Sequence, residues 1–296
     1  MVRKTVAVVY GGASPEAEIS RKSASAVISA LSRMGVKVFG FELDRFLPLK
    51  LFETSPEIVF PVVHGAPGED GTLQGLLEIM GIPYVGEDVR VSALCMDKDL
   101  TKRVLLSFGI SVPNWITVSK ENIEEVKGWA DFPAVVKPVS GGSSVGLFVV
   151  SDGKGLLSAV KSLLKETERV MVERFIPGRE FTCGFLTGEV LPPLEIKPKK
   201  GIYDFESKYV KGKTEFVPLG GELKERVWNL TLKVCKALGI EQLARVDFRY
   251  NPAEDKLYLL EINTIPGMTE TSLLPKMANL AGYSFEDILE KLISSF

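Results

Sequence analysis

The chain has 296 residues, 45% hydrophobic and 25% charged, with 36 Lys and Arg against 38 Asp and Glu for a net charge of -2. This balance excludes a mainly disordered chain, and without a basic field no nucleic-acid partner is expected. The one histidine, His64, rules out His-rich metal sites and leaves any Ser/His/Asp triad dependent on a single residue. The length reads as about two domains at ~100–200 residues each. No apolar run approaches the ~18 residues of a membrane span, so no membrane partner is expected. The start, Met1-Val2-Arg3-Lys4, lacks a signal-peptide pattern, so the expected location is cytoplasmic. Cys95, Cys183 and Cys235 stand singly in apolar stretches and read as reduced, packed thiols.

TVAVVY at 5–10 is a continuous, β-branched apolar run ended by Gly11-Gly12, the pattern of a buried parallel strand. Ser14-Pro15-Glu16 opens a helix whose apolar residues recur at helical spacing until Gly35. Strands at 36–43 and 58–63 and a helix at 71–80 complete a βαβ pattern, hence an α/β module of about 90 residues with ligands at the carboxyl ends of its strands. From residue 89 the texture is helical through 108, and a further domain begins there. Strands at 113–118, 134–137, 145–150 and 170–173 alternate with helices at 121–130 and 153–166. The segment 192–221, rich in Lys, Gly, Pro and Tyr, reads as a long loop over a functional surface. A helix at 222–238, strands at 243–250 and 256–262, and helices near 271–281 and 284–295 close the chain.

Two constellations carry chemistry. In the hairpin 243–262 the period of two puts Arg245 and Asp247 on one face and Ala244, Val246 and Phe248 on the other; Glu261 and Asn263 likewise oppose Leu260 and Ile262. A turn near residue 254 sets Asp247 opposite Glu261, and two carboxylates with an amide oxygen suit Mg²⁺. The alternative is a solvated strand face. The second constellation is Lys137 followed by PVSGGSSVG, a lysine at a strand end leading into a Gly/Ser loop. Glycines let backbone N–H groups approach an anion, hydroxyls donate, and the lysine adds a point charge. The alternative is a plain hairpin loop, and no GxxxxGK[ST] P-loop is present.

These segments, with GGASPE at 11–16, HGAPGEDGTLQG at 64–75, MDK at 96–98, ERFI at 173–176, GREFT at 178–182, YDFESKY at 203–209, RVD at 245–247 and EINTIPGMT at 261–269, resemble the D-alanine:D-alanine ligases of the ATP-grasp superfamily nearly end to end. Gly141 stands where many members carry glutamate. The resemblance implies an α/β fold of ATP-grasp architecture in three domains: an N-terminal parallel α/β substrate module (1–90), then central (91–176) and C-terminal (177–296) α+β domains clasping ATP.

It implies as cofactors ATP and two Mg²⁺ ions, with Mn²⁺ as a substitute. Asp247, Glu261 and Asn263 would hold the metal, while Lys98, Lys137 and Lys208, with Ser144 of the phosphate loop, would meet the phosphates. Glu173, Arg174, Phe175 and Ile176 would border adenine, and Glu180 would accept from the ribose hydroxyls. Glu16 would pair with the ammonium of the first D-alanine, although by itself it is equally a helix-start acid. His64 would lie near that substrate's carboxylate, and Ser272 and Leu273 near the second carboxylate. Arg245 and the Gly267 backbone N–H would stabilise the oxyanion, and Tyr209, Ser143 and Glu16 would link the loops.

The implied reaction is ATP-dependent joining of two D-alanines through D-alanyl phosphate, for peptidoglycan precursors. A D-alanine:D-lactate or other carboxylate ligase and a non-catalytic nucleotide-binding regulator are the alternatives. A homodimer is open.

Overall fold

The computed structural model describes residues 4–142, 146–199 and 212–296. Its first sheet has three parallel strands, β1 (Thr5–Tyr10), β2 (Lys37–Glu42) and β3 (Ile58–Pro61), in the order β2-β1-β3. Val6, Ala7, Val8 and Val9 of β1 are all fully buried because both faces are covered. Val6 and Val8 pack with Ala24, Val27 and Leu31 of α1 (Ala17–Arg33), whereas Ala7 and Val9 pack with residues of α2 (Leu47–Thr54) and α3 (Thr72–Ile79). Ser20 on α1 ties two strand ends together, accepting from Gly11 N at 2.8 Å and donating to the Val62 carbonyl at 2.6 Å. The sequence reading lacked α2, whose eight residues bury only Leu47 and Leu51, too short a signal for helical periodicity.

The helical stretch after residue 89 is two helices, α4 (Val89–Met96) and α5 (Lys98–Ser107). Asp97 breaks them: its Oδ1 accepts from Leu100 N at 2.9 Å and caps α5, which sets Lys98 at the first position of that helix. A four-stranded antiparallel sheet follows, β4 (Trp115–Val118), β5 (Ala134–Pro138), β6 (Phe148–Val150) and β7 (Val170–Arg174), ordered β4-β7-β5-β6 and packed against α6 (Gly153–Leu163). Only a 3₁₀ turn, Ile123–Gly128, forms where a helix is expected at 121–130.

The third sheet contains β8 (Arg179–Leu186), β9 (Glu189–Val190), β10 (Leu194–Pro198), β11 (Thr214–Pro218), β12 (Leu243–Asn251) and β13 (Lys256–Asn263), in the order β11-β10-β8-β12-β13 with β9 beside β8. Within the segment expected as a loop at 192–221, β10 and β11 instead pair antiparallel, Ile196 opposite Phe216. The Lys, Gly, Pro and Tyr content of the whole segment hid these two short strands, although Leu194-Glu195-Ile196-Lys197 alternates with period two. The helix α7 (Gly221–Leu238) ends at Gly239, which takes a left-handed φ of 75°. The terminal helices α8 (Leu273–Leu280) and α9 (Phe285–Ile293) share one core with β1, β3 and α1, so the first and last parts of the chain are packed together. All three cysteines are free and buried, in the core beneath the third sheet. Among the described residues no helix is long and apolar enough to cross a membrane.

Candidate active site

The second and third sheets face each other across a cleft of about 870 Å³, counting its open mouth. One wall carries Lys98 of α5, Lys137 of β5, and Glu173, Arg174, Phe175 and Ile176 on and after β7; the other carries Glu180 of β8, Asp247 and Arg249 of β12, and Leu260 and Glu261 of β13. Nine residues singled out in the sequence thus meet in one cleft. Ser143, Ser144, Lys208 and Tyr209 lie outside the described residues.

On the carboxylate wall, β12 and β13 pair with Asp247 directly opposite Glu261 and Arg245 opposite Asn263. The expected alternation fails at one point. The register shifts between Asp247 and Phe248, which pairs with Leu259, so Leu260 is an extra residue and lines the cleft beside Glu261 instead of opposing it. Asp247 is 6% exposed. Its carboxylate accepts from Thr182 Oγ1 at 2.7 Å and from Arg245 Nε and Nη2 at 3.0 and 2.8 Å. Asn263 Oδ1 accepts from Ile265 N at 3.0 Å, which orients its amide oxygen. Among the described residues no three His, Cys, Asp or Glu gather into a metal-binding group. The donor set is instead two facing carboxylates and an oriented amide, hard oxygens that fit Mg²⁺.

On the cationic wall, Lys137 Nζ donates to Glu173 Oε1 and Lys98 Nζ to the Gly141 carbonyl, each at 2.5 Å. Burial opposes ionisation of Glu173, yet Lys102 and Lys137 hold its carboxyl below the usual range. Glu180 faces Arg249 Nη1 at 3.5 Å.

Next to the cleft lies a second group, built from loops of the first sheet. Glu16 occupies the N-cap position of α1 but makes no side-chain capping bond and is buried. Its carboxylate turns toward the glycines of two loops: a Cβ on Gly142 would lie 3.2 Å from Glu16 Oε2, and one on Gly65 3.7 Å away. Glu16 thus stands at the helix start with its carboxylate directed to these two loops rather than to the helix backbone. His64 is 4% exposed, and burial holds its pKa down to about 4, so its ring is neutral at physiological pH. Nε2 of that ring has no hydrogen-bond partner among the described residues. Gly267 approaches Ser272 closely, since a Cβ there would lie 2.9 Å from Ser272 Oγ, and Ser272 is the N-cap of α8 with Leu273 its first residue. Such a helix start favours an anion. His64, Arg245, Asn263, Gly267, Ser272 and Leu273, like Glu16, are outside the cleft lining itself.

Three charged residues were not anticipated. Arg249 follows Arg245 and Asp247 at the same period of two, so the strand pattern contained its signal; its guanidinium carbon is 4.9 Å from the centre of the Phe175 ring. Lys102 lies one helical turn after Lys98 but resembles any helix lysine until its burial is seen. Glu69, buried beside Glu16, accepts from Gly65 N at 2.6 Å; in sequence it is an ordinary loop acid.

Comparison with known proteins identifies the family and the fold. The family model described as D-ala D-ala ligase C-terminus matches residues 104–294, and that described as D-ala D-ala ligase N-terminus matches 48–87. A D-alanine--D-alanine ligase from Aquifex aeolicus is 49% identical over 290 residues, covering 98% of this chain and 99% of the relative. The crystal structure of a D-alanine--D-alanine ligase from Bacillus anthracis complexed with ATP superposes with a TM-score of 0.85 at 32% identity, covering 98% of this chain and 96% of that one. A D-Ala:D-Ser ligase from Enterococcus faecalis gives a TM-score of 0.85 at 33% identity, with 99% of both chains covered. With identity running through nearly the whole length and the fold in common, this chain belongs to the D-alanine--D-alanine ligase family.

Proposed function

We propose that this protein is an ATP-dependent ligase that joins two D-alanine molecules into D-alanyl-D-alanine through a D-alanyl phosphate, releasing ADP and phosphate, for peptidoglycan precursors. The observation that carries the reading is the cleft in which Lys98 and Lys137 face Asp247 and Glu261 across two sheets. A carboxylate cannot form an amide at neutral pH until its oxygen carries a leaving group. A phosphoryl donor must therefore be held with its charge neutralised next to the amino-acid site. The lysines bind and orient the phosphates, and Arg174, Phe175, Ile176 and Glu180 border the nucleoside. Asp247, Glu261 and Asn263 would hold Mg²⁺, which when bound neutralises phosphate charge.

Glu16, turned toward Gly65 and Gly142, is suited to anchor the ammonium of the first D-alanine. His64 is suited to hydrogen-bond its carboxylate through Nε2, which must carry the proton to do so, since a neutral imidazole nitrogen without one can only accept. Arg245 and the Gly267 N–H are suited to the oxyanion formed when the second amine attacks, and the start of α8 to the second carboxylate. Each of the three sheets lies within one of the stretches 1–90, 91–176 and 177–296 read as domains, and α4 and α5 pack in the core of the third. A cytoplasmic location and a homodimer belong to the same reading.

Likeness to a D-Ala:D-Ser ligase favours one second reading, in which a hydroxylated amino acid is the nucleophile. ADP release with D-alanine, L-alanine, D-alanine plus D-serine, and D-alanine plus D-lactate, with products identified by mass, decides. The expected product is D-alanyl-D-alanine from D-alanine alone. Equal turnover with L-alanine would sink the reading, and a dominant D-alanyl-D-serine product would favour the second.

A further inference from the structure

Lys102 has no part in the reaction described so far, yet it is one of the most deeply enclosed side chains of the protein, 1% exposed. Its Nζ donates to Glu173 Oε2 and sits 5.1 Å from the centre of the Trp115 ring, which is itself fixed by Nε1 donating to Asp99 Oδ1 at 2.7 Å. The other oxygen of the same carboxylate accepts from Lys137 Nζ. Two ammonium groups thus share one carboxylate, and they differ in access. Lys137 lines the cleft and Lys102 does not.

A buried charge without a partner is strongly disfavoured, so Glu173 needs at least one of these cations at all times. Lys102 is enclosed by protein and has nowhere else to go, whereas Lys137 can reach a ligand in the cleft. We propose that Lys102 is a positioning residue for nucleotide binding, one that balances Glu173 from inside the protein so that Lys137 can leave that carboxylate and pair with a phosphate oxygen. The inference rests on the cleft being the ATP site. Burial lowers the Lys102 pKa to about 8, with Glu173 opposing the shift and Lys137 and Lys98 adding to it.

Without Lys102, Glu173 would retain Lys137 or take up a proton, and either outcome weakens the hold on phosphate. The test is calorimetric titration of Mg²⁺·AMP-PNP, a non-hydrolysable ATP analogue, into the full chain. Lys102→Met should bind about tenfold to a hundredfold more weakly, the worth of one charge-assisted hydrogen bond, while KM for D-alanine stays near that of wild type. Adding Glu173→Gln to that variant should recover part of the loss, because the neutral amide no longer captures Lys137; a packing role for Lys102 predicts no recovery.

Binding by Lys102→Met within about threefold of wild type, or a double variant no tighter than the single, overturns the proposal. If Lys102→Met does not fold, the comparison is between Glu173→Gln and the double variant: a double variant more than about tenfold weaker than Glu173→Gln gives Lys102 a role independent of Glu173 and also overturns it. A wild-type chain that binds no nucleotide overturns the ATP reading and this inference together, whereas wild-type binding with unaffected variants removes this inference alone.

Discussion

Arg245 grips Asp247 from two positions earlier on the same strand, with Nε and Nη2 at 3.0 and 2.8 Å from the carboxylate, and Thr182 on the neighbouring strand completes the hold at 2.7 Å. A period of two makes this possible, since residues i and i+2 share a face. The residue suited to the oxyanion and a carboxylate suited to the metal are therefore one mechanical unit, standing opposite Glu261.

Neutralising the two carboxylates should separate their roles in folding and turnover. Asp247→Asn and Glu261→Gln are expected to lower ligase turnover by about two or more orders of magnitude, the scale of losing charge stabilisation in a transition state. Glu261→Gln should leave Tm little changed, whereas Asp247→Asn should also lower it, because the largely buried Arg245 loses its carboxylate. The loss should be greatest at limiting Mg²⁺. Near-normal ADP release by either variant would remove that residue from the site.

Stability should carry two opposed pH signatures from the first-sheet loops. Burial, then the neighbouring Glu16, pushes the Glu69 pKa from its ordinary 4.5 up to about 8. The folded chain keeps a proton there that the unfolded chain loses, so this group's contribution falls as pH rises from about 4.5 to about 8. Glu69→Gln should gain stability relative to wild type across that window, by at most about 1.4 kcal/mol per pH unit. His64 has the opposite sign: its pKa is held down from 6.5 to about 4, so its contribution is complete above 6.5 and is lost as pH falls toward 4. His64→Asn should flatten that acid-side loss. Urea unfolding at pH 5, 6, 7 and 8 checks both slopes.

Glu87 joins distant parts of the chain. Its carboxylate accepts from the backbone N–H groups of Glu241, Gln242 and Leu243 at 3.0, 2.8 and 2.8 Å, at the entry to β12. Glu87→Ala leaves those donors without their acceptor and should destabilise the fold by about 2 kcal/mol or more, at ~1–3 kcal/mol per buried unsatisfied group. A urea midpoint equal to that of wild type would contradict it.

Gly178 permits the closest backbone approach on the cleft's rim. Its φ is 116°, and a Cβ there would lie 2.2 Å from the Tyr250 carbonyl oxygen. Its own carbonyl accepts from Arg249 Nη2 at 2.9 Å, so the strained variant also disturbs a cleft residue. Gly178→Ala should cost about 2–4 kcal/mol and raise KM for ATP more than KM for D-alanine. Thermal denaturation and the two KM values test this.

Features that depend on neighbours in the chain were legible in the sequence. The apolar run of β1 announced a strand covered on both faces, and Gly35 and Gly239 marked where helices stop. The turn itself pairs Asn251 with Lys256, a register that would set Asp247 opposite Leu260, and it is the extra residue that brings Glu261 opposite Asp247. The extra residue at Leu260 was not legible, because a bulge leaves the composition of a strand unchanged while re-aiming its side chains. Nor were the strands β10 and β11, five residues each and both ending in proline, within a segment whose Lys, Gly, Pro and Tyr content reads as loop. The tertiary structure also decided which charges matter. Glu16 reads as a helix-start acid until the loops bearing Gly65 and Gly142 close around it, and Lys102 as a surface lysine until Glu173, 71 residues away, meets it in the core. Periodicity is written between adjacent residues, but burial and charge pairing are properties of elements far apart in the chain, and they exist only once those elements have packed.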